Sequence, residues 1–123
     1  MFAKPEGGGR DLETIAQLTL DVEQLQPYFH VETFPERSPL VVVAPALSEQ
    51  GAKLQKFGRP VVFKTREEAV ESGGPYFEFK EIAVESGRAT VRFEYPPEGI
   101  RGEIELAQTE ASWKVVAARL VER

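Results

Sequence analysis

The chain has 123 residues, a formal net charge of −5 and a pI near 5.0. Its length suits one domain with one modest core, and its acidic balance argues against a general electrostatic grip on nucleic acid. It has no cysteine, which removes disulfides, thiolate nucleophiles and sulfur-ligated metal, and no apolar run approaches the ~18 residues of a membrane-spanning helix.

Residues 1–10 contain three successive glycines and no apolar signal-peptide region. The expectation is a flexible tail, native or left by trimming, ahead of a single domain over 11–123. Over 11–25, Leu12, Ile15, Leu18, Val22 and Leu25 recur at helical spacing behind Asp11 as an N-cap. The same stretch alternates Ala16, Leu18, Leu20 and Val22, so a strand competes, and length and good helix formers favour the helix.

Pro27, Pro35 and Pro39 then break the chain into extended pieces. Residues 28–34 alternate like a short edge strand. Leu40 to Ala44 form a valine-rich apolar run, which fits a buried strand. Pro45 opens a helix predicted over 46–57, with Gly58 as its stop. Thr65-Arg66-Glu67-Glu68 is a capping box that starts a short helix ending at Gly73-Gly74.

Residues 76–123 read as a four-stranded antiparallel meander. Phe77 and Phe79, then Ala89, Val91, Phe93 and Tyr95, then Ile100, Ile104 and Leu106 alternate with charged residues, the signature of a sheet with one buried and one wet face. Turns are expected at Ser86-Gly87, at Pro96-Pro97-Glu98-Gly99 and over 108–112. Pairing Val84 with Ala89 and Ile82 with Val91 disagrees by one residue with pairing Phe79 with Phe93 and Phe77 with Tyr95. That mismatch predicts a β-bulge near Lys80-Glu81. The last strand, 113–121, carries apolar residues on both faces, which calls for a second covering surface.

Three constellations bear on function. His30 is the sole histidine, and on a strand it would share a face with Tyr28 and Glu32, a set suited to general acid–base work near neutral pH. The plainer reading is a surface histidine without a role. Phe77, Phe79, Phe93, Tyr95 and Trp113 are candidates for lining an apolar ligand pocket, against the plainer reading of a hydrophobic core. Lys53, Lys56, Arg59, Lys64 and Arg66 form a basic stretch, an anion or partner patch unless Lys53 and Lys56 merely complement a helix end. Arg37, in the proline-pinned loop Pro35-Glu36-Arg37-Ser38-Pro39, is a separate candidate. No metal site, cofactor or phosphate-loop fingerprint is expected.

The cues Gly87-Arg88-Ala89-Thr90-Val91, Gly99-x-x-Gly102 and Trp113-Lys114-Val115 make the C-terminal third resemble the terminal sheet of the ketosteroid-isomerase-like (nuclear-transport-factor-like) cone-shaped α+β superfamily. The resemblance implies a sheet wrapped around a pocket and frequent dimerisation. It carries over no catalytic residue. The sequence therefore leads to an α+β fold: a curved antiparallel sheet of four to six strands with two or three helices on one face. The expected function is a non-catalytic module, cytoplasmic by default, that binds a small apolar ligand or a protein partner as a homodimer. The alternative is a small cofactor-free lyase or isomerase using His30 and a tyrosine.

Overall fold

The computed structural model describes residues 4–122, with side chains from Asp11 onward. Helix α1 spans Lys4–Leu20. Helix wins over strand here, and it runs back through much of the segment expected as a tail; the first three residues lie outside the described part. Asp11 is therefore inside the helix and does not cap it. Ile15, Ala16 and Leu20 are fully buried against the sheet, with Leu12 and Leu18 partly so. The Thr19 hydroxyl, also buried, donates to the Ile15 carbonyl one turn back at 2.9 Å, which satisfies it without leaving the helix.

The next segment departs from the extended reading. A 3-10 turn, Glu23–Leu25, leads into the short helix α2, Gln26–Phe29. Pro27 sits in its first turn, where a missing N–H costs nothing. His30 ends the helix in the left-handed region (φ 50°). A second 3-10 turn, Pro35–Arg37, precedes β1, Val41–Val43. The predicted helix over 46–57 shrinks to α3, Pro45–Glu49. Gly51 adopts φ 70° and stops it, well ahead of the expected stop at Gly58. Beyond Gly51 the chain forms a hairpin of β2, Gln55–Lys56, and β3, Arg59–Pro60, turning through Phe57 and Gly58, both at positive φ. Lys56 therefore sits in a strand and not in the last turn of a helix of its own.

Strand β4, Val62–Phe63, leads to α4, Arg66–Ser72. Its capping box is present as expected: the Glu68 amide donates to Thr65 Oγ1 at 3.1 Å and the Thr65 amide to Glu68 Oε1 at 3.0 Å. Thr65→Ala should cost about 1 kcal/mol, seen as a fall in Tm of roughly 3–5 °C, while Thr65→Ser should leave Tm in place. Equal melting of all three proteins would show that the cap contributes nothing.

The meander consists of β5 (Phe77–Glu85), β6 (Arg88–Tyr95), β7 (Ile100–Gln108) and β8 (Trp113–Glu122). The full sheet has six strands in the order β4-β1-β5-β6-β7-β8. It is mixed, because β1 runs parallel to both β4 and β5. Ser86 and Gly87, at φ 50° and 77°, make the two-residue turn whose twist suits a hairpin. The register shift between Phe79 and Glu81 is the expected bulge, and Val84–Ala89, Ile82–Val91 and Phe79–Phe93 pair as predicted.

A second shift has no counterpart among the sequence expectations. Glu105 pairs with Ala117, but Leu106 pairs with Val115, leaving Val116 as an extra residue in β8. It reverses the phase of the strand. Trp113 and Val115 before it, and Ala118 and Leu120 after it, all turn to the core. The strand that read as apolar on both sides therefore has one core face, with Val116 and Val121 left outside at 46% and 43% exposure.

The inner face of the sheet is packed with rings. Phe77 stacks on Phe93 at 4.9 Å between centroids and meets Phe79 edge-on at 5.1 Å. Phe29 stands edge-on to Tyr95 at 5.2 Å and to Phe57 at 5.3 Å. Helix α1 closes this face by packing on β6 and β8.

Candidate functional site

The five aromatic candidates do converge, as core. Phe77, Phe79, Phe93, Tyr95 and Trp113 are all buried, between 0% and 7% exposed, and the four phenyl and phenol rings are in contact with one another or with Phe29. These rings belong to the hydrophobic core and pack against one another there.

The basic stretch disperses. Lys56 is buried, donates to Asp21 Oδ1 at 3.2 Å and to Gln26 Oε1, and lies 5.1 Å from the Phe29 ring centroid. It ties the β2–β3 hairpin to the end of α1. Arg66 forms a fork on Glu78, with Nη2 at 3.0 Å from both carboxylate oxygens and Nε at 3.2 Å from Oε2. The hydrogen bond to Glu78 raises the Arg66 pKa further above its ordinary value. Lys53 and Arg59 are exposed and Lys64 is half-buried; Lys53 and Lys56 border one depression and Lys64 another.

His30, Tyr28 and Glu32 do not share a strand face, because the segment is a helix end and a turn. Tyr28 is half-buried and Glu32 exposed. The carboxylate beside His30 is instead Glu98, with Nε2 to Oε1 at 3.8 Å. Glu98 belongs to the 3-10 turn Pro96–Glu98 that joins β6 to β7. Two prolines, which cannot continue the ladder, force this turn, and its carboxylate meets His30 and Arg37.

The same carboxylate receives Arg37. Nη1 of Arg37 donates to Glu98 Oε2 at 2.9 Å, to the Phe29 carbonyl at 3.0 Å and, at 3.5 Å, to the Tyr28 carbonyl. Its Cζ lies 4.4 Å from the Phe34 ring centroid and 5.8 Å from that of Tyr95. The residue is only 8% exposed. A cation so buried is tolerated because it is paired, hydrogen-bonded and stacked at once. Arg37 is legible as a rigidly held residue from its flanking prolines; its partners are not.

Comparison with family models, curated proteins and solved structures returned no match. The site therefore rests on its own geometry. Among the described residues, no three histidine or carboxylate side chains are grouped to hold a metal ion, and no helix is long and apolar enough to cross a membrane.

Tyr95 completes the cluster. It is wholly buried, and its hydroxyl has no hydrogen-bond partner among the described residues. Burial pushes its pKa up to about 12, with Arg37 opposing the rise and Glu98 adding to it. A free phenol titrates near ~10, so the fold favours the neutral hydroxyl. That contribution is complete below pH ~10 and is lost as the pH climbs toward about 12. Ultraviolet titration of the folded protein should show one of its three tyrosines lagging behind the others, and Tyr95→Phe should remove the lagging step. If all three ionise together near ~10, the burial of this hydroxyl is wrong.

The outer face of the meander carries the second feature. A depression of about 610 Å³ opens there, bordered by Lys80, Arg92, Arg101 and Arg119 and by Glu81, Glu94 and Glu103. Arg92 Nη2 contacts Glu81 Oε1 at 2.8 Å, and Arg119 approaches Glu103 at 4.0 Å. Val121 lies at its rim.

Proposed function

We propose that the chain is a non-catalytic binding module that works as a homodimer, docking the outer face of its meander on a second copy. The observation that carries this reading is the charge balance of that face. Four cations and three carboxylates border its depression, on a chain whose net charge is −5. Elsewhere two copies repel; here, across a two-fold axis, cations of one copy meet carboxylates of the other. Exposed Val116 and Val121 supply apolar surface beside the charges.

Contact through the face suits this sheet better than contact through its edge. Strand β8 lies at an edge, but its bulge at Val116 and the exposed Lys114 and Arg119 are the devices that blunt an edge against strand addition.

Sedimentation velocity over a concentration series tests the reading. A dimer should form by high micromolar concentration, and Arg119→Glu combined with Val121→Asp should return it to monomer with Tm unchanged. A monomer throughout that series overturns the proposal.

A further inference from the structure

The environment of Arg37 is built more specifically than a structural ion pair needs. A guanidinium has five N–H donors, and the Nη1 end is engaged by Glu98 and the Phe29 carbonyl. The Nε and Nη2 donors have no acceptor among the described residues. Nor are they sealed in: the enclosed unpartnered polar atoms are Tyr95 Oη and Trp113 Nε1. Arg37 instead lines a groove of about 430 Å³ between the turn at Pro35–Arg37, the Gly73-Gly74-Pro75-Tyr76 segment and Pro96-Pro97.

Two properties of the groove select a ligand. The first is the pair of guanidinium donors that Glu98 and the Phe29 carbonyl leave over. Nε and Nη2 present parallel N–H bonds that match the two oxygens of a carboxylate. The second is the wall. Phe34, 39% exposed, lies over the guanidinium, and Tyr76, Pro75 and Pro97 add flat or ring-shaped apolar surface. Gly74 leaves the groove open, since a Cβ there would meet nothing within 4 Å.

Charge then decides between anions. Glu98 already balances Arg37, and exposed Glu36 stands at the groove's border. One cation beside two carboxylates opposes a dianion such as a phosphate ester. A monoanion can take the fork at short range while Glu36 turns to water. We propose that the groove at Arg37 is a binding site for a monocarboxylic acid bearing a flat ring. Its size lies within the range of small-molecule sites, roughly 300–1,000 Å³. None of its residues borders the outer-face depression, so this site and the proposed dimer stand or fall separately.

The probe is benzoate, titrated into the full-length ¹⁵N-labelled protein while following the Arg37 Nε–Hε resonance. Benzoate should move that resonance saturably, and benzamide and phenylphosphonate should bind at least about tenfold more weakly. Arg37→Lys removes the fork but risks the fold. Gly74→Leu instead adds a side chain at a groove-lining position with room for it, and should weaken benzoate at least about tenfold at unchanged Tm. No saturable shift overturns the proposal. So does phenylphosphonate binding as tightly as benzoate, or a Gly74→Leu protein that binds benzoate normally.

Discussion

Phe77→Ala should lower stability by about 3–5 kcal/mol, the largest loss expected of any single truncation in this chain. Phe77 is fully buried and contacts Phe29, Phe79, Phe93 and Tyr95 at centroid separations of 4.9 to 6.4 Å. Among the described residues it is the one ring that touches all four of these others. Removing it costs the transfer free energy of a phenyl group, and its neighbours cannot collapse into the space. Each of them is itself pinned by a strand or by a helix end. A domain of this size has only about 5–15 kcal/mol to lose, so the variant should melt roughly 10–20 °C lower. Trp113, the single tryptophan and 6% exposed, reports the transition in urea. The midpoint should fall with the slope unchanged. A loss under about 1 kcal/mol would mean that the ring cluster is not close-packed, and with it would go the description of the sheet's interior as filled.

The second large effect comes from adding atoms. Gly102 lies mid-strand in β7 opposite Phe93. A Cβ at this position would fall 2.6 Å from Phe93 Cζ, 2.9 Å from its Cε2 and 3.1 Å from the Arg119 carbonyl. Neither neighbour can give way: Phe93 is stacked on Phe77, and the carbonyl belongs to the backbone of β8. In an open strand Gly→Ala gains roughly 0.5–1 kcal/mol from backbone entropy. Here overpacking wins, and Gly102→Ala should cost about 2–3 kcal/mol. Phe93→Leu withdraws the clashing atoms. The double variant should therefore be less destabilised than the two single losses added together, with a coupling of roughly 0.5–3 kcal/mol. Strict additivity would place the cost somewhere other than this contact.

How much of the fold is legible in the sequence depends on the range of the interactions. The capping box, the Ser86-Gly87 turn and the bulge at Lys80 each depend on residues a few positions apart, or on two strands joined by a tight turn. Alternation carries the register of β5 against β6 for the same reason. The pairing of Arg37 with Glu98 spans 61 positions and leaves no periodic trace, so pattern alone cannot assemble the cluster that joins His30, Arg37, Tyr95 and Glu98. Pairing His30 with Glu32 requires a strand, and here α2 ends at Phe29 and His30 turns the chain in the left-handed region. The parallel pairing of β1 with β4 and β5 is equally invisible. Strands of two and three residues carry too few positions for a period to show. In β8 the signal is present but ambiguous: a phase reversal at one residue looks like two apolar faces.

That phase reversal has a counterpart across the sheet. Strike Lys80 from β5 and Val116 from β8, and each strand pairs with its neighbour in one unbroken register. The meander is thus an even ladder into which two single residues have been inserted, one in its first strand and one in its last. Bulges bend and twist the strands that hold them, so the first and last strands of the meander each carry a local bend at a single residue. The rest of the pattern sets which side is core.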